Sequence, residues 1–371
     1  MNKSHDYKYL QVKTALLREI ESGKWAPGMR MPSEATLVRQ FGVSRITVGR
    51  AVKDLQLAGL IERRAGSGSF VRQPPRPQAL SFGLIIPELG ETDIFEPLCQ
   101  GIMASPLAHG HALLWGNAGG SPGVSKAGAA WQACRQYIER GVSGVFFAPL
   151  STEPSSNELN QQIVAALDEA DIPVVLLDRS ILPYPRPSAY DLVGIDNRSA
   201  GFVVTDHLLR HGCRRIVFIG RKDGASTTDA REAGYRDALY AANAAFERSS
   251  VHRGDATDET AIRDFLSASR PDGIVCANDR TAGGVMHALR RFGRRVPGDV
   301  RIVGIDDVEY ARLLPVPLTT LRQPTRQIGD VALHVMLQRI ARPDLPACET
   351  RLNCELIVRE SCGARCAAAS D

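Results

Sequence analysis

Three polar residues in this chain of 371 stand directly behind apolar runs that read as buried strands: Asp178 after PVVLL, Asn278 after GIVCA and Asp306 after VRIVGI. A fourth, Arg231, lies near the start of a helical stretch that follows a strand and a loop. In open sheets of parallel strands, ligands are held just beyond the carboxyl ends of the strands. Two carboxylates, an amide and a guanidinium supply acceptors and donors together, which is what a ligand with several hydroxyls requires. Asp and Asn also serve as ordinary turn and helix-cap residues. No spacing in the chain is catalytic: it has no nucleophile elbow, no HExxH and no GxxxxGK[ST] phosphate loop. Asp306 and Asp307 are adjacent, so at a strand end their carboxylates point apart.

A second set of residues suits nucleic acid. Residues 31–58 read as two short helices joined by a tight turn. Ser33 caps the first, over 34–40; Phe41-Gly42-Val43 makes the turn, and Ser44 caps the second. On the second helix Val48, Ala51, Val52 and Leu55 form one apolar stripe, while Arg45, Ile46, Gly49, Arg50 and Lys53 lie on the other face. That is the plan of a helix-turn-helix. Arg45, in the first turn, can donate two hydrogen bonds to a guanine in the major groove. The hydroxyls of Ser33, Ser44 and Thr47, with backbone N–H groups at the helix starts, suit phosphates, although capping alone also accounts for both serines.

The flanks complete the unit. Residues 7–22 place Leu10, Val12, Leu16, Leu17 and Ile20 mostly on one side of a helix. After the helix pair, residues 61–64 and 69–71 read as two strands around the turn Ala65-Gly66-Ser67-Gly68. A helix, a helix-turn-helix and a hairpin make a winged helix. Arg63 and Arg64 flank the wing, whose glycines Gly66 and Gly68, on either side of Ser67, let its backbone come close to the minor groove.

Charge separates this head from the rest. The chain carries +4 in all, yet residues 1–76 hold fourteen Lys/Arg against six Asp/Glu, and the remainder is net −4. A basic head on a mildly acidic body points to a polyanion for the head alone. No run of about eighteen apolar residues is present and the N-terminus lacks a signal peptide's apolar core, so a cytoplasmic protein without membrane contact is expected. The eight cysteines have no regular spacing, and Cys348, Cys354, Cys362 and Cys366 match no zinc pattern, so neither metal nor cofactor is expected.

The expected organisation is a head over 5–72, a Pro-rich linker over 73–79, a body over 80–362 and a disordered tail over 363–371. From residue 80 to 307 strands and helices alternate, which predicts an α/β fold of parallel sheets with right-handed crossovers. The body is long enough for two such lobes with a cleft between them.

The head resembles the GntR family of bacterial regulators over residues 7–72. The resemblance rests on GKWAPG (23–28), MPSE (31–34), Val43-Ser44-Arg45 with Thr47-Val48, and the run from Gly59-Leu60-Ile61 to Gly66-Ser67-Gly68-Ser69-Phe70-Val71. Two departures stand out. Ala35 and Gly49 occupy positions where that family often or usually has a basic residue, and Arg50, about 100° round the helix, is expected to replace part of the missing contact.

The body, over about 80–360, resembles the effector domain of the LacI/GalR family, which shares the fold of periplasmic sugar-binding proteins. The carrying stretches are IPVV through Asp178-Arg179, VGIDNRSAG (193–201), HLLRHGCRRIVFIG (207–220), AREAGYRDAL (230–239), RPDGIVCANDRTAGG (270–284), RRVPGDVRIVGIDD (294–307) and PLTTLRQP (317–324). The resemblance implies a two-lobed periplasmic-binding-protein-like domain. It places Asp178, Arg231, Asn278 and Asp306 at ligand-contact positions and Phe95 near the wall of the cleft. At Ala256 the family often has an aromatic residue. The two resemblances together are like the plan of arabinose-responsive regulators. They imply a repressor that binds a palindromic DNA operator as a homodimer and is switched by a small effector. The effector would be a sugar, with a sugar phosphate or nucleoside as the alternative; enzymatic and solute-transport roles fit less well.

Overall fold

The computed structural model describes residues 3–22, 24–26, 28–57, 60–64, 67–71, 79–86, 93–115, 125–150, 154–183, 185–222 and 224–364. The chain divides into two compact units, Met1–Ala79 and Leu80–Asp371. Most of the expected linker and of the expected tail, and the wing residues 65 and 66, lie outside the described residues.

The first unit has helices α1 (Lys3–Glu21), α2 (Glu34–Phe41) and α3 (Arg45–Leu57) and strands β1 (Ile61–Arg64) and β2 (Gly68–Val71). Ser33 caps α2, its Oγ accepting from the Thr36 N–H at 3.2 Å. Gly42 ends α2 in the left-handed region at φ 61°, its N–H donating to the Val38 carbonyl at 3.0 Å. That residue sets the turn between the two helices. The stripe Val48, Ala51, Val52 and Leu55 packs against Val12, Leu16, Trp25 and Leu37. β1 and β2 pair antiparallel, with Ile61 opposite Val71 and Arg64 opposite Gly68. α1 starts four residues earlier than expected. Its first turn is polar, so no apolar period marks it.

The second unit has two lobes. The first contains β3 (Ser81–Ile85), α4 (Phe95–Ala104), β4 (Ala112–Trp115), α5 (Lys126–Glu139), β5 (Gly144–Phe147), α6 (Pro154–Glu169), β6 (Val174–Leu177) and β7 (Asp191–Ile195). The second contains α7 (Asn197–Arg210), β8 (Ile216–Gly220), α8 (Ser226–Ala241), β9 (Val251–Arg253), α9 (Glu259–Ser269), β10 (Gly273–Cys276), α10 (Asp279–Arg291), β11 (Arg301–Asp306) and β12 (Thr319–Arg322). The chain then returns to the first lobe through α11 (Thr325–Ala341) and β13 (Glu349–Leu352), and ends in the second with β14 (Glu355–Ile357).

The two sheets have strand orders β13-β7-β6-β5-β3-β4 and β14-β12-β11-β10-β8-β9. All pairs are parallel except β12 with β14. Helices cover both faces, which is why the strands are continuous apolar runs rather than alternating ones. The chain passes between lobes three times, at Asp196, at Gln323-Pro324 and at Asn353-Cys354. These three crossings are the hinge segments of the body, the positions at which its lobes can turn relative to one another.

Two helix pairs touch backbone to backbone through glycine. A Cβ on Gly201 of α7 would stand 1.9 Å from the carbonyl oxygen of Arg231 on α8. One on Gly101 of α4 would stand 2.0 Å from that of Arg326 on α11. Only glycine permits these approaches.

Candidate functional site

The body cleft is built where the strand ends meet. β6 ends in Asp178, which takes φ 68° and donates its N–H to the Val193 carbonyl at 2.9 Å. β11 ends in Asp306 and Asp307, both at positive φ. Such backbone is rare for residues other than glycine, and Asp is among the few that accept it. The two adjacent carboxylates part as expected. Asp307 binds Arg322 at 2.7 Å and Arg359 at 2.6 Å, whereas Asp306 turns into the cleft.

Arg231 is the centre of the cleft. It is 5% exposed. Nε donates to Asn197 Oδ1 at 2.8 Å, Nη1 donates to the Ala277 carbonyl at 2.6 Å, and Nη2 lies 3.4 Å from Asp306 Oδ1. Asp306 Oδ1 also accepts from Gln323 Nε2 at 2.7 Å. Burial pushes the Asp306 carboxyl above the usual range, while Arg231 and Gln323 pull it back. Asn197 and Gln323 each belong to, or adjoin, a crossing between lobes. The polar centre is therefore bonded directly to two of the three hinge segments.

A cavity of about 80 Å3 is lined by Phe95, Asp178 and Arg179 of the first lobe and by Arg231, Asn278 and Asp306 of the second. All five expected ligand residues thus come together. Phe95 is fully buried, with the Arg179 guanidinium 5.8 Å from its ring centre. Asn278 caps α10, its Oδ1 accepting from the Thr281 N–H at 2.9 Å, so one of its acceptor sites is already used by the fold. A larger cavity of about 410 Å3 shares Asp178, Arg179 and Thr227 with the first and extends to Arg186, Arg198 and Arg351.

Several residues of this site are absent from the sequence expectation. Arg179 and Thr227 line both cavities. Asp279 is buried behind Asp306; its carboxylate accepts from Thr320 Oγ1 at 2.5 Å and from the Val308 N–H at 3.1 Å. Burial, with Asp306 nearby, raises its pKa. Asn197 and Gln323 both fall inside motifs visible in the sequence, but only the fold shows that they reach Arg231 and Asp306. Ala256 does not face either cavity: it packs in the second lobe's core beside Gly284.

In the head, Arg45 and Arg63 meet at one acid. Glu34, the first residue of α2, is 3.8 Å from Arg45 Nε and also bonds Arg63. Arg64 pairs with Glu62 at 3.2 Å and lies over the Phe70 ring at 4.8 Å. Ser67 is exposed and its N–H donates to the Arg64 carbonyl at 3.0 Å, while Gly66 lies outside the described residues. Ser33 and Ser44 act as caps, each hydroxyl also hydrogen-bonded to a threonine, Thr36 or Thr47, at 2.9 Å. Thr47 is buried, so its hydroxyl is spent on Ser44. Arg50 lies 4.4 Å from the centre of the Tyr9 ring, turned toward α1 rather than toward Arg45.

Among the described residues no group of three His, Cys, Asp or Glu is placed to hold a metal ion. Cys362 is buried, Cys354 half-buried and Cys348 exposed. No helix among the described residues is long and apolar enough to cross a membrane.

Comparison with known proteins agrees with both units. Residues 8–71 match the model for bacterial regulatory proteins of the gntR family, and residues 205–362 match that for the periplasmic binding protein-like domain. The chain is 29% identical over 366 residues to an arabinose metabolism transcriptional repressor of Geobacillus stearothermophilus, covering 95% of this chain and 97% of the relative. It is 28% identical over 276 residues to the HTH-type transcriptional repressor PurR of Vibrio campbellii, covering 72% and 77%. Among solved structures, a complex of the transcriptional regulator CelR with cellobiose aligns with a TM-score of 0.65 at 26% identity, over 86% of this chain and 91% of that one.

Proposed function

We propose that this DNA-binding transcriptional regulator, a gntR-type helix-turn-helix head joined to a periplasmic-binding-protein-like body, is a repressor switched by a small polar effector. The head binds a palindromic operator as one of a pair, because a single helix-turn-helix contacts only a half-site. The effector sits between the lobes, and it is a sugar. One observation carries this reading: Arg231 and Asp306 are held by Asn197 and Gln323 at the hinge. A ligand that takes hydrogen bonds from this group changes the same bonds that fix the crossings between lobes. Asp178, Asn278 and Asp306 accept from hydroxyls, and Arg231 donates to them. Phe95 supplies the apolar wall. In the head, Arg45 reads bases, Ser33 and Ser44 with the helix N-termini meet phosphates, and Arg63, Arg64, Gly66 and Ser67 form the wing contact. Thr47 supports Ser44, and Arg50 contributes charge near the backbone. No residue is assigned a catalytic role.

The repressor named for arabinose and the CelR complex with cellobiose direct the choice of probes. Thermal denaturation in a panel of sugars that includes both compounds tests the reading. A bound sugar at 100 times its Kd adds about 2.7 kcal/mol. Arg231→Ala abolishes that shift; a full shift in the variant would remove Arg231 from the site.

A second reading, an effector carrying phosphate or a nucleoside, is favoured by the arginines around the larger cavity, Arg179 and Arg186 among them. Guanidinium groups bind phosphate in two-point fashion. Sugar phosphates and nucleosides in the same panel decide between the two.

A further inference from the structure

The first turn of α3 presents an apolar side chain that serves no core. Ile46 is 84% exposed, while Val48, Ala51, Val52 and Leu55 of the same helix are buried. A β-branched residue slightly lowers helix propensity, and an exposed isoleucine brings no hydrophobic gain in water. Its neighbour Arg45 has a side chain that is 85% exposed. One turn further along the same face is Gly49, where an added Cβ would meet nothing within 4 Å. The helix surface beside Ile46 is therefore bare backbone, and a partner can approach more closely than any side chain there would allow. Arg50, which could crowd this strip, lies against Tyr9.

The strip thus runs from a guanidinium to an isoleucine to open backbone, on the face of a helix that enters the major groove. The one apolar feature that base pairs display in that groove is the 5-methyl group of thymine. We infer that Ile46 reads sequence by packing on the methyl group of a thymine next to the base pair contacted by Arg45, with Gly49 leaving room for the approach. The contact is steric and apolar, so it adds little to the salt dependence that phosphate contacts produce.

The inference rests on the head being the DNA-binding part, and its test separates the two. The full chain is used to enrich duplexes from a random library, and the enriched half-site is resynthesised with each thymine replaced in turn by deoxyuridine, which lacks only the methyl group. Binding is measured by fluorescence anisotropy at fixed salt. One position per half-site is expected to lose about fourfold in affinity, the worth of one buried methyl group. In Ile46→Ser the thymine and uracil duplexes bind equally, and in Ile46→Val most of the difference is kept. Unchanged melting temperatures in both variants show that the fold is retained. If no thymine is sensitive, or if Ile46→Ser keeps the penalty, the inference is overturned while DNA binding stands. If no duplex is enriched at all, both fall.

Discussion

Arg231 Nη2 lies 3.4 Å from Asp306 Oδ1 at the meeting of α8 with the end of β11, and both side chains are held by residues at the hinge. A buried ion pair of this kind is seldom a source of net stability, because both charges lose their water. Its value here is in position. The guanidinium also donates to the carbonyl at the end of β10, so one side chain joins two strand ends and a crossing between lobes. Asp178 and Phe95 face this group from the other lobe.

The closeness of α7 and α8 sets where Arg231 stands. Gly201→Ala would place a methyl group 1.9 Å from the Arg231 carbonyl oxygen, so the helices must part. Urea denaturation is expected to show a loss of about 1–3 kcal/mol. Gly83→Ala, which would place a methyl group 2.4 Å from the Tyr137 ring within the first lobe, serves as its control. Both variants lose stability, but only Gly201→Ala loses effector affinity. Equal losses of affinity would mean that general loosening, not displacement of Arg231, is responsible.

His207 of α7 is buried, its ring centre 4.2 Å from that of His211 with the two rings tilted by 42°, and its Nε2 has no hydrogen-bond partner. Burial, with His211 adjacent and Asp206 opposing, lowers its pKa from 6.5 to about 4. Between those values the unfolded chain binds the proton and the folded chain does not. Stability from this group is full above the unfolded value and is lost as pH falls toward the folded one. Lowering the pH from 7 to 5 should cost about 1–2 kcal/mol through His207 alone. The raised carboxyls of Asp279 and Asp306 act in the opposite direction, so the comparison must be between proteins. His207→Leu should lose less stability than the wild type on acidification. Parallel pH profiles would exclude His207 as the group.

Glu34 neutralises part of the charge of Arg45 and Arg63, the two arginines proposed to meet DNA, since they share it. Glu34→Gln is expected to bind operator several-fold more tightly at low salt, with a steeper dependence on salt concentration. Weaker binding would show instead that the carboxylate is needed to aim the two arginines.

The head was legible in the sequence because its signals are local. Ser33, Gly42 and Ser44 cap and turn within a few residues, and the stripe from Val48 to Leu55 has the helical period. The alternation of strands and helices in the body was legible for the same reason, and so were Asp178, Asn278 and Asp306 at strand ends. What the period could not show is where the chain goes after β12. α11 carries its apolar residues Ile328, Ala332, Leu333 and Met336 at helical spacing, yet its return to the first lobe depends on packing against α4. β13 pairs with β7, with Glu349 opposite Leu192, a partner far away in sequence. Arg50 illustrates a second limit. Its angle on α3 suggested a substitute for the missing contact at Gly49, and only the position of Tyr9 shows that its guanidinium is drawn to the other side. Thr47 is similar: its hydroxyl looks available in sequence, and burial spends it on Ser44.

The central claim is that occupancy of the cleft between the lobes controls binding of the head to DNA. It is tested by the operator Kd of the full chain, with and without the compound that gives a thermal shift, in the wild type and in Asp178→Asn. Asparagine accepts the positive φ of this position, so the backbone is preserved while the charge is removed. The expected result is a change in operator affinity of about 5–150-fold on adding the compound to the wild type, and little or none in the variant. An unchanged Kd in the wild type, or an equal response in Asp178→Asn, would contradict the account.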